Sequence, residues 1–266
     1  MNYEPAVSPL HAPTERVWSF AFAESQLLLA EGEDVLAPGP PLDAEVRHYL
    51  GRLDGLDAWA LRMDAVPTGW RRVPLRTAMM AMPAVQMGVA GRAAQVIEWD
   101  RTHRFCGACG TPTEHVGHER ARRCPACGHM AYPRVSPAMM VLVWRPGELL
   151  LARAPHFAKG MYSALAGFVE AGETIEQCVE REVVEEVSVS VTDLRYCGSQ
   201  SWPFPHSLMV AFTARWAGGD IVPQPGEIED AGWYPLDALP DIPPRFSIAG
   251  HLIRDTVAAM SEGRLR

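Results

Sequence analysis

The stretch GFVEAGETIEQCVEREVVEEVSV, residues 167–189, holds seven glutamates and one basic residue, Arg181. Glu182, Glu185 and Glu186 fall within five positions. Thr174-Ile175-Glu176-Gln177 has the form of a capping box, so a helix starts near Thr174. On that helix Glu182 and Glu186 lie about 40° apart on one face, and Glu185 flanks them. Ile175, Val179 and Val183 point in a similar direction, which puts the carboxylates on or beside the face that packs inward. Like charges repel there, and an unpaired, partly buried carboxylate is costly. A divalent cation that favours oxygen ligands, Mg²⁺ or Mn²⁺, resolves the conflict. The alternative is a plain solvated helix, because Glu180 and Val184 blur the amphipathic pattern.

The chain around this stretch has 266 residues, room for one large domain or two to three small ones. With 48% hydrophobic and 21% charged residues it reads as globular. A formal net charge of −8 argues against general affinity for nucleic-acid backbone or anionic membrane. The N-terminal MNYEPAVSPLH shows no secretory signal. The apolar run Ala138–Trp144 is far short of the roughly 20 residues of a membrane span. A cytoplasmic location and no membrane partner are expected, and six cysteines there read as metal ligands or core thiols rather than disulfides.

CGACG (106–110) and CPACG (124–128) give two C-x2-C pairs with fourteen residues between them. Cys106, Cys109, Cys124 and Cys127 therefore predict a tetrahedral zinc site. Four thiolates leave no open position, so the zinc is structural and replaces the core that such a short segment lacks. Cys178 and Cys197 read as buried thiols. Upstream, RVWSFAFA and SQLLLA suit strands, APGPPLD is a break, and TAMMAMP and GVAGRAAQVIEWDRTH read as helical. Downstream, MMVLVW and ELLLAR are strands around the turn RPG. The expected division is an N-terminal α+β domain over 1–95, a zinc ribbon over 96–134 and a larger domain over 135–266. HERARR (118–123) is a small basic patch or an exposed ribbon loop.

The spacing Gly167, Glu173, then Arg181-Glu182-Val183-x-Glu185-Glu186 resembles the Nudix hydrolase signature. SQSWPFPHS (199–207) resembles the S-Q-P-W-P-F-P-x-S motif of the NADH pyrophosphatase subgroup, which also carries a zinc ribbon before its catalytic domain. Two positions depart: Ser188 stands where the family has glycine, and Ser201 replaces the first proline. The resemblance covers roughly residues 90–260. It implies a Nudix α/β/α sandwich, an α+β fold, preceded by the ribbon and a small N-terminal α+β domain.

The resemblance also implies roles. Glu182, Glu186 and Glu227 would hold the catalytic Mg²⁺ or Mn²⁺, with Glu186 and Glu185 as the catalytic carboxylates. Gly167, Glu173 and Arg181 would support the loop. Substrate contacts would come from Glu119, Tyr132, Ala166, Phe168, Ala249 and the run Gln200, Ser201, Trp202, Pro203, Phe204, Pro205, His206 and Ser207, with Arg76 a further candidate. Tyr132 would reach across a homodimer interface. A proline-stiffened segment with two rings suits a stacking wall, and a core strand with a proline bend is the alternative. The implied reaction is hydrolysis of NADH or NAD⁺ to NMN(H) and AMP, and in some members removal of NAD caps from RNA 5′ ends. ADP-ribose or diadenosine polyphosphates are alternative substrates. A non-catalytic nucleotide-sensing module is the alternative class.

Overall fold

The computed structural model describes residues 1–265, which divide into two compact units. The first comprises Met1–Arg134 together with Pro203–His206. It opens with β1 (Tyr3–Pro5), β2 (Trp18–Ala23), β3 (Gln26–Ala30), β4 (Val46–Leu53), β5 (Leu56–Arg62) and β6 (Trp70–Val73), followed by α1 (Leu75–Ala81) and α2 (Ala84–Thr102). The six strands form one sheet in the order β1-β4-β5-β2-β3-β6. β2 shows why both sheet faces are covered. Trp18, Phe20 and Phe22 pack with α2 residues Val89, Ala93 and Val96. The intervening Ala21 and Ala23 pack with Leu28 and Leu61 on the opposite face. The two helices begin earlier than the periodicity suggests because Pro74 and Pro83 stand immediately before them and a proline ring fits a helix start.

The ribbon carries β7 (Glu114–His115), β8 (Arg122–Arg123) and β9 (Met130–Ala131) in one small sheet. Its two cysteine turns have the same backbone form. Gly110 N–H donates to Cys106 O at 2.9 Å and Gly128 N–H to Cys124 O at 3.0 Å. Both glycines have left-handed backbones, φ 75° and 76°, which explains the repeated C-x2-C-G.

The second unit comprises Val135–Trp202 and Ser207–Arg266. Its elements are β10 (Ser136–Arg145), β11 (Glu148–Arg153), β12 (Leu165–Phe168), α3 (Ile175–Val187), β13 (Ser190–Trp202), β14 (Ser207–Gly218), β15 (Asp230–Pro235) and α4 (Ile248–Ser261). The sheet order is β13-β14-β10-β11-β15, and β12 pairs with β10. Alternation along the central strand sorts the two faces. Met139, Val141 and Val143 pack with Val179, Val183 and Val187 of α3. Met140, Leu142 and Trp144 pack with Ala249, Leu252 and Ile253 of α4. The result is the expected α/β/α sandwich.

Candidate active site and zinc centre

α3 begins as its sequence dictates. Thr174 Oγ1 accepts from Gln177 N–H at 3.2 Å, and Gln177 Oε1 accepts from Thr174 N–H at 2.9 Å. The helix ends at Ser188, φ 60° and ψ 23°, a left-handed position that strains a residue with a Cβ. Arg181 ties the helix to the loop before it. Its guanidinium reaches both Glu173 carboxylate oxygens at 2.8 and 2.9 Å, and the Phe168 carbonyl at 3.0 Å. The same group meets Glu182 and Glu185, each at 2.9 Å. Hydrogen bonding from Arg181 holds the Glu173 carboxyl down at about 2.

Glu186 differs from its neighbours. It is 8% exposed, and its Oε2 has no hydrogen-bond partner. Burial, and then the charges of Glu182 and Glu227, push its carboxyl up to about 8. Burial also raises Glu182, against the pull of Arg181. The Glu182 carboxylate packs onto Gly167, where an added Cβ would lie 1.9 Å from Glu182 Cδ. Only glycine admits the carboxylate there. A buried, unpartnered carboxylate oxygen among further carboxylates fits a hard divalent cation, so the donor set suits Mg²⁺ or Mn²⁺.

The four ribbon sulfurs also converge. Cys106 and Cys127 Sγ are 3.6 Å apart, Cys109 and Cys124 3.5 Å, and Cys109 and Cys127 3.6 Å. A tetrahedron with Zn–S of 2.3 Å has edges of about 3.8 Å, so the cluster has the size of a zinc site. Cys178 is buried in the α3 core, as expected, but Cys197 is exposed. On the edge strand β13, Arg195, Tyr196 and Cys197 are exposed in succession, and a register shift falls between Tyr196 and Gly198.

The remaining sites divide between the units. In the second unit, Ala166 and Ala249 sit on β12 and α4, and Phe168 is 60% exposed. Gln200 uses both ends of its amide on backbone, donating to Phe246 O at 2.8 Å and accepting from Ile248 N–H at 2.7 Å. Ser201 lies in β13 just before its last residue, Trp202, whose ring stacks on Phe246 at 6.3 Å. Ser207 is buried at the start of β14. In the first unit, Tyr132 is 54% exposed and its hydroxyl faces Glu119 at 3.5 Å. Pro203, Phe204 and Pro205 line a cleft of about 780 Å³ with Arg76, Arg62 and Arg101. There the Arg76 guanidinium lies 5.0 Å above the Phe204 ring. His206 belongs to the same four-residue segment of this unit.

HERARR is neither a free basic patch nor a loose loop. Arg120 donates to the carbonyls of Ala6 and Tyr49. Arg122 donates to Asp100 Oδ1 at 2.5 Å and lies 2.8 Å from His115 Nε2. His48, Asp100 and His115 form the second cluster of potential ligands among the described residues. Arg122 already pairs with Asp100 and His115, so a cation there would meet a guanidinium. Sequence reading missed this network because its members are joined only by tertiary packing.

Three family models match: a NUDIX domain over 134–255, an NADH pyrophosphatase zinc ribbon domain over 101–132, and an NADH pyrophosphatase-like rudimentary NUDIX domain over 17–99. A NUDIX hydrolase of Nitrosomonas europaea shares the fold at a TM-score of 0.52 and 21% identity, covering 60% of this chain and 93% of that one. The sandwich and its glutamate helix are those of the Nudix hydrolases. More narrowly, the chain belongs to the family of the NADH pyrophosphatases and NAD-capped RNA hydrolases. It is 63% identical over 182 residues to the NAD-capped RNA hydrolase NudC of Chromobacterium violaceum, covering 68% of this chain and 69% of that protein. The NudC of Deinococcus radiodurans is 46% identical over 246 residues, with 91% and 88% covered. The NudC of Pseudomonas aeruginosa is 53% identical over 216 residues, with 80% and 77% covered.

Proposed function

We propose that this chain hydrolyses the diphosphate linkage of NADH or NAD⁺ to NMN(H) and AMP. The observation that carries the reading is the buried Glu186, with an unpartnered oxygen and a raised proton affinity, facing Glu182 and Glu227. A buried carboxylate oxygen left without a partner, with the charges of Glu182 and Glu227 acting on it, serves a cation better than it serves the fold. Glu182, Glu186 and Glu227 are proposed to hold Mg²⁺ or Mn²⁺. When bound, the ion neutralises the diphosphate and makes the attacking water more acidic.

The chain's own groups do the rest. Glu186, or Glu185 beside it, orients the water and takes its proton. The water oxygen bonds to one phosphorus, the bridging P–O bond breaks, and the two nucleotides leave as separate phosphate monoesters. Arg181 keeps Glu173 and the 167–173 loop fixed. The exposed rings of Phe168 and Tyr132 are proposed to stack the nicotinamide side. Glu119, Ala166, Ala249 and the 200–207 motif are proposed as further substrate contacts, Gln200 acting through the segment it holds before α4.

The ribbon cysteines bind zinc in a structural role. The residue ranges of the three family models favour domains close to 1–95, 96–134 and 135–266. Homology to named NAD-capped RNA hydrolases extends the substrate proposal to NAD-capped RNA 5′ ends, cleaved at the same bond, and with it to mRNA decapping. A cytoplasmic homodimer is proposed as the working form. Among the described residues no helix is long and apolar enough to cross a membrane.

A side-by-side panel of NADH, NAD⁺, ADP-ribose, a diadenosine polyphosphate and NAD-capped RNA tests the reading. Metal-dependent release of AMP from the dinucleotide or of NMN from the capped RNA is expected. Tenfold preference for ADP-ribose or diadenosine substrates would overturn the substrate assignment. Binding without turnover on every substrate would make the chain a sensor.

A further inference from the structure

We propose that Gln224 is the residue that positions Glu227, and that through it the loop 222–228 sets the affinity of the cation site. The inference rests on the reading of Glu227 as a metal ligand.

An α-helix leaves its last four carbonyls without intrahelical partners. In α3 these belong to Val184, Glu185, Glu186 and Val187. Ser188 N–H takes the first at 2.9 Å. The other three go to a loop far along the chain. Val222 N–H donates to Val187 O at 3.0 Å, and Gln224 N–H donates to Glu186 O at 2.9 Å. The Gln224 side-chain amide, oriented with its NH₂ inward, donates to Glu185 O at 3.0 Å. The loop that carries Glu227 is therefore the C-terminal cap of the helix that carries Glu182 and Glu186.

The same amide also donates to Glu227 Oε2 at 3.2 Å. Gln224 O accepts from Glu227 N–H at 3.3 Å and from Ile228 N–H at 3.0 Å, which closes the turn on which Glu227 stands. Glu227 is itself exposed, while Ile228 beside it is buried and anchors the turn. A carboxylate on an exposed turn samples many directions unless a donor selects one. Gln224 selects the direction with one hydrogen and measures it from the catalytic helix with the other. A neutral NH₂ suits this position because it donates to both acceptors and adds no charge to a crowded acidic site. Outer-shell partners of this kind alter metal affinity or activity by roughly 10- to 100-fold when removed.

The test measures Mn²⁺ binding directly, by the electron paramagnetic resonance signal of free Mn²⁺, on the zinc-loaded chain without substrate. Gln224→Met keeps length and loses both donated bonds, and should raise the Mn²⁺ Kd about tenfold. Gln224→Ala gives the same comparison where the methionine variant does not fold. Glu227→Gln should also weaken binding, and the double variant should match Glu227→Gln alone, because Gln224 acts through that carboxylate. Gln224→Met within twofold of wild type, with Glu227→Gln weakened, overturns the positioning role. Additive losses would assign Gln224 to holding the helix end instead, which also overturns it. Wild-type affinity in Glu227→Gln would sink the ligand reading itself, a different failure visible in a different variant.

Discussion

Glu186→Gln should make the cation-free protein more stable while abolishing its hydrolytic activity. Burial and the facing carboxylates raise Glu186 from 4.5 to about 8. The folded-state value lies above the unfolded one, so across the interval from about 4.5 to about 8 the unfolded chain binds fewer protons than the folded chain. Stability then falls as pH rises through that interval. By pH 7 this amounts to about 3 kcal/mol at about 1.4 kcal/mol per pH unit. Water entering the cleft and movement of Glu182 reduce it, leaving about 1–3 kcal/mol. Glutamine has the same shape and is neutral at every pH, so it removes that cost. At 2–4 °C per kcal/mol for a unit of this size, the melting temperature should rise by about 3–10 °C at pH 7.5. At pH 5 the gain should nearly vanish. Calorimetry at both pH values checks this, in buffer freed of divalent ions by resin, so that no chelator strips the ribbon zinc. Mn²⁺ should then stabilise the wild type and leave the variant almost unmoved. Hydrolysis should drop more than tenfold, over ~1.4 kcal/mol of transition-state stabilisation. Equal melting temperatures at pH 7.5, or a variant retaining over a tenth of kcat, would refute the reasoning.

Ser188→Gly should stabilise the chain by about 0.5–1 kcal/mol, read by urea unfolding, because it relieves the left-handed backbone at φ 60°. Elemental analysis should find about one zinc per chain, lost with stability in Cys106→Ser and retained in Cys197→Ser, whose thiol is exposed. Phe168→Ala should lower kcat/KM for NADH by about ten- to a hundred-fold, in line with base stacking, and spare ADP-ribose. Equal losses on both substrates would return that ring to the fold.

The parts of this protein that are local in sequence are the parts its sequence discloses. The capping box at Thr174, the one-turn spacing of Glu182 and Glu186, the paired C-x2-C-G turns and the two-residue alternation of β10 each fit within a few residues. Arg120 and Arg122 show the limit. A run of arginines reads as a surface patch, yet Arg122 is buried on Asp100, and that pairing depends on α2 packing against the ribbon. Cys197 shows another: it is exposed on the edge strand beside a register shift, and neither the sheet order nor the irregularity is written in the local pattern. The parallel pairing of β2 with β5 likewise joins strands separated by an intervening pair, which no local pattern announces.

The two ends of α3 put this contrast in one element. Its N-terminus is completed by Thr174 and Gln177, three residues apart, and is legible. Its C-terminus is completed by Val222 and Gln224, and is not. That division bears on Ser188, where the family glycine is missing. A side chain in the left-handed region costs about 1–2 kcal/mol, and the residue holds that conformation because the helix end is fixed from outside. Three carbonyls of the last turn are bound by the 222–228 loop, each such bond contributing about 1 kcal/mol. The loop thus offsets the strain at Ser188 while delivering Glu227. Loosening it should therefore cost metal affinity before it costs the fold.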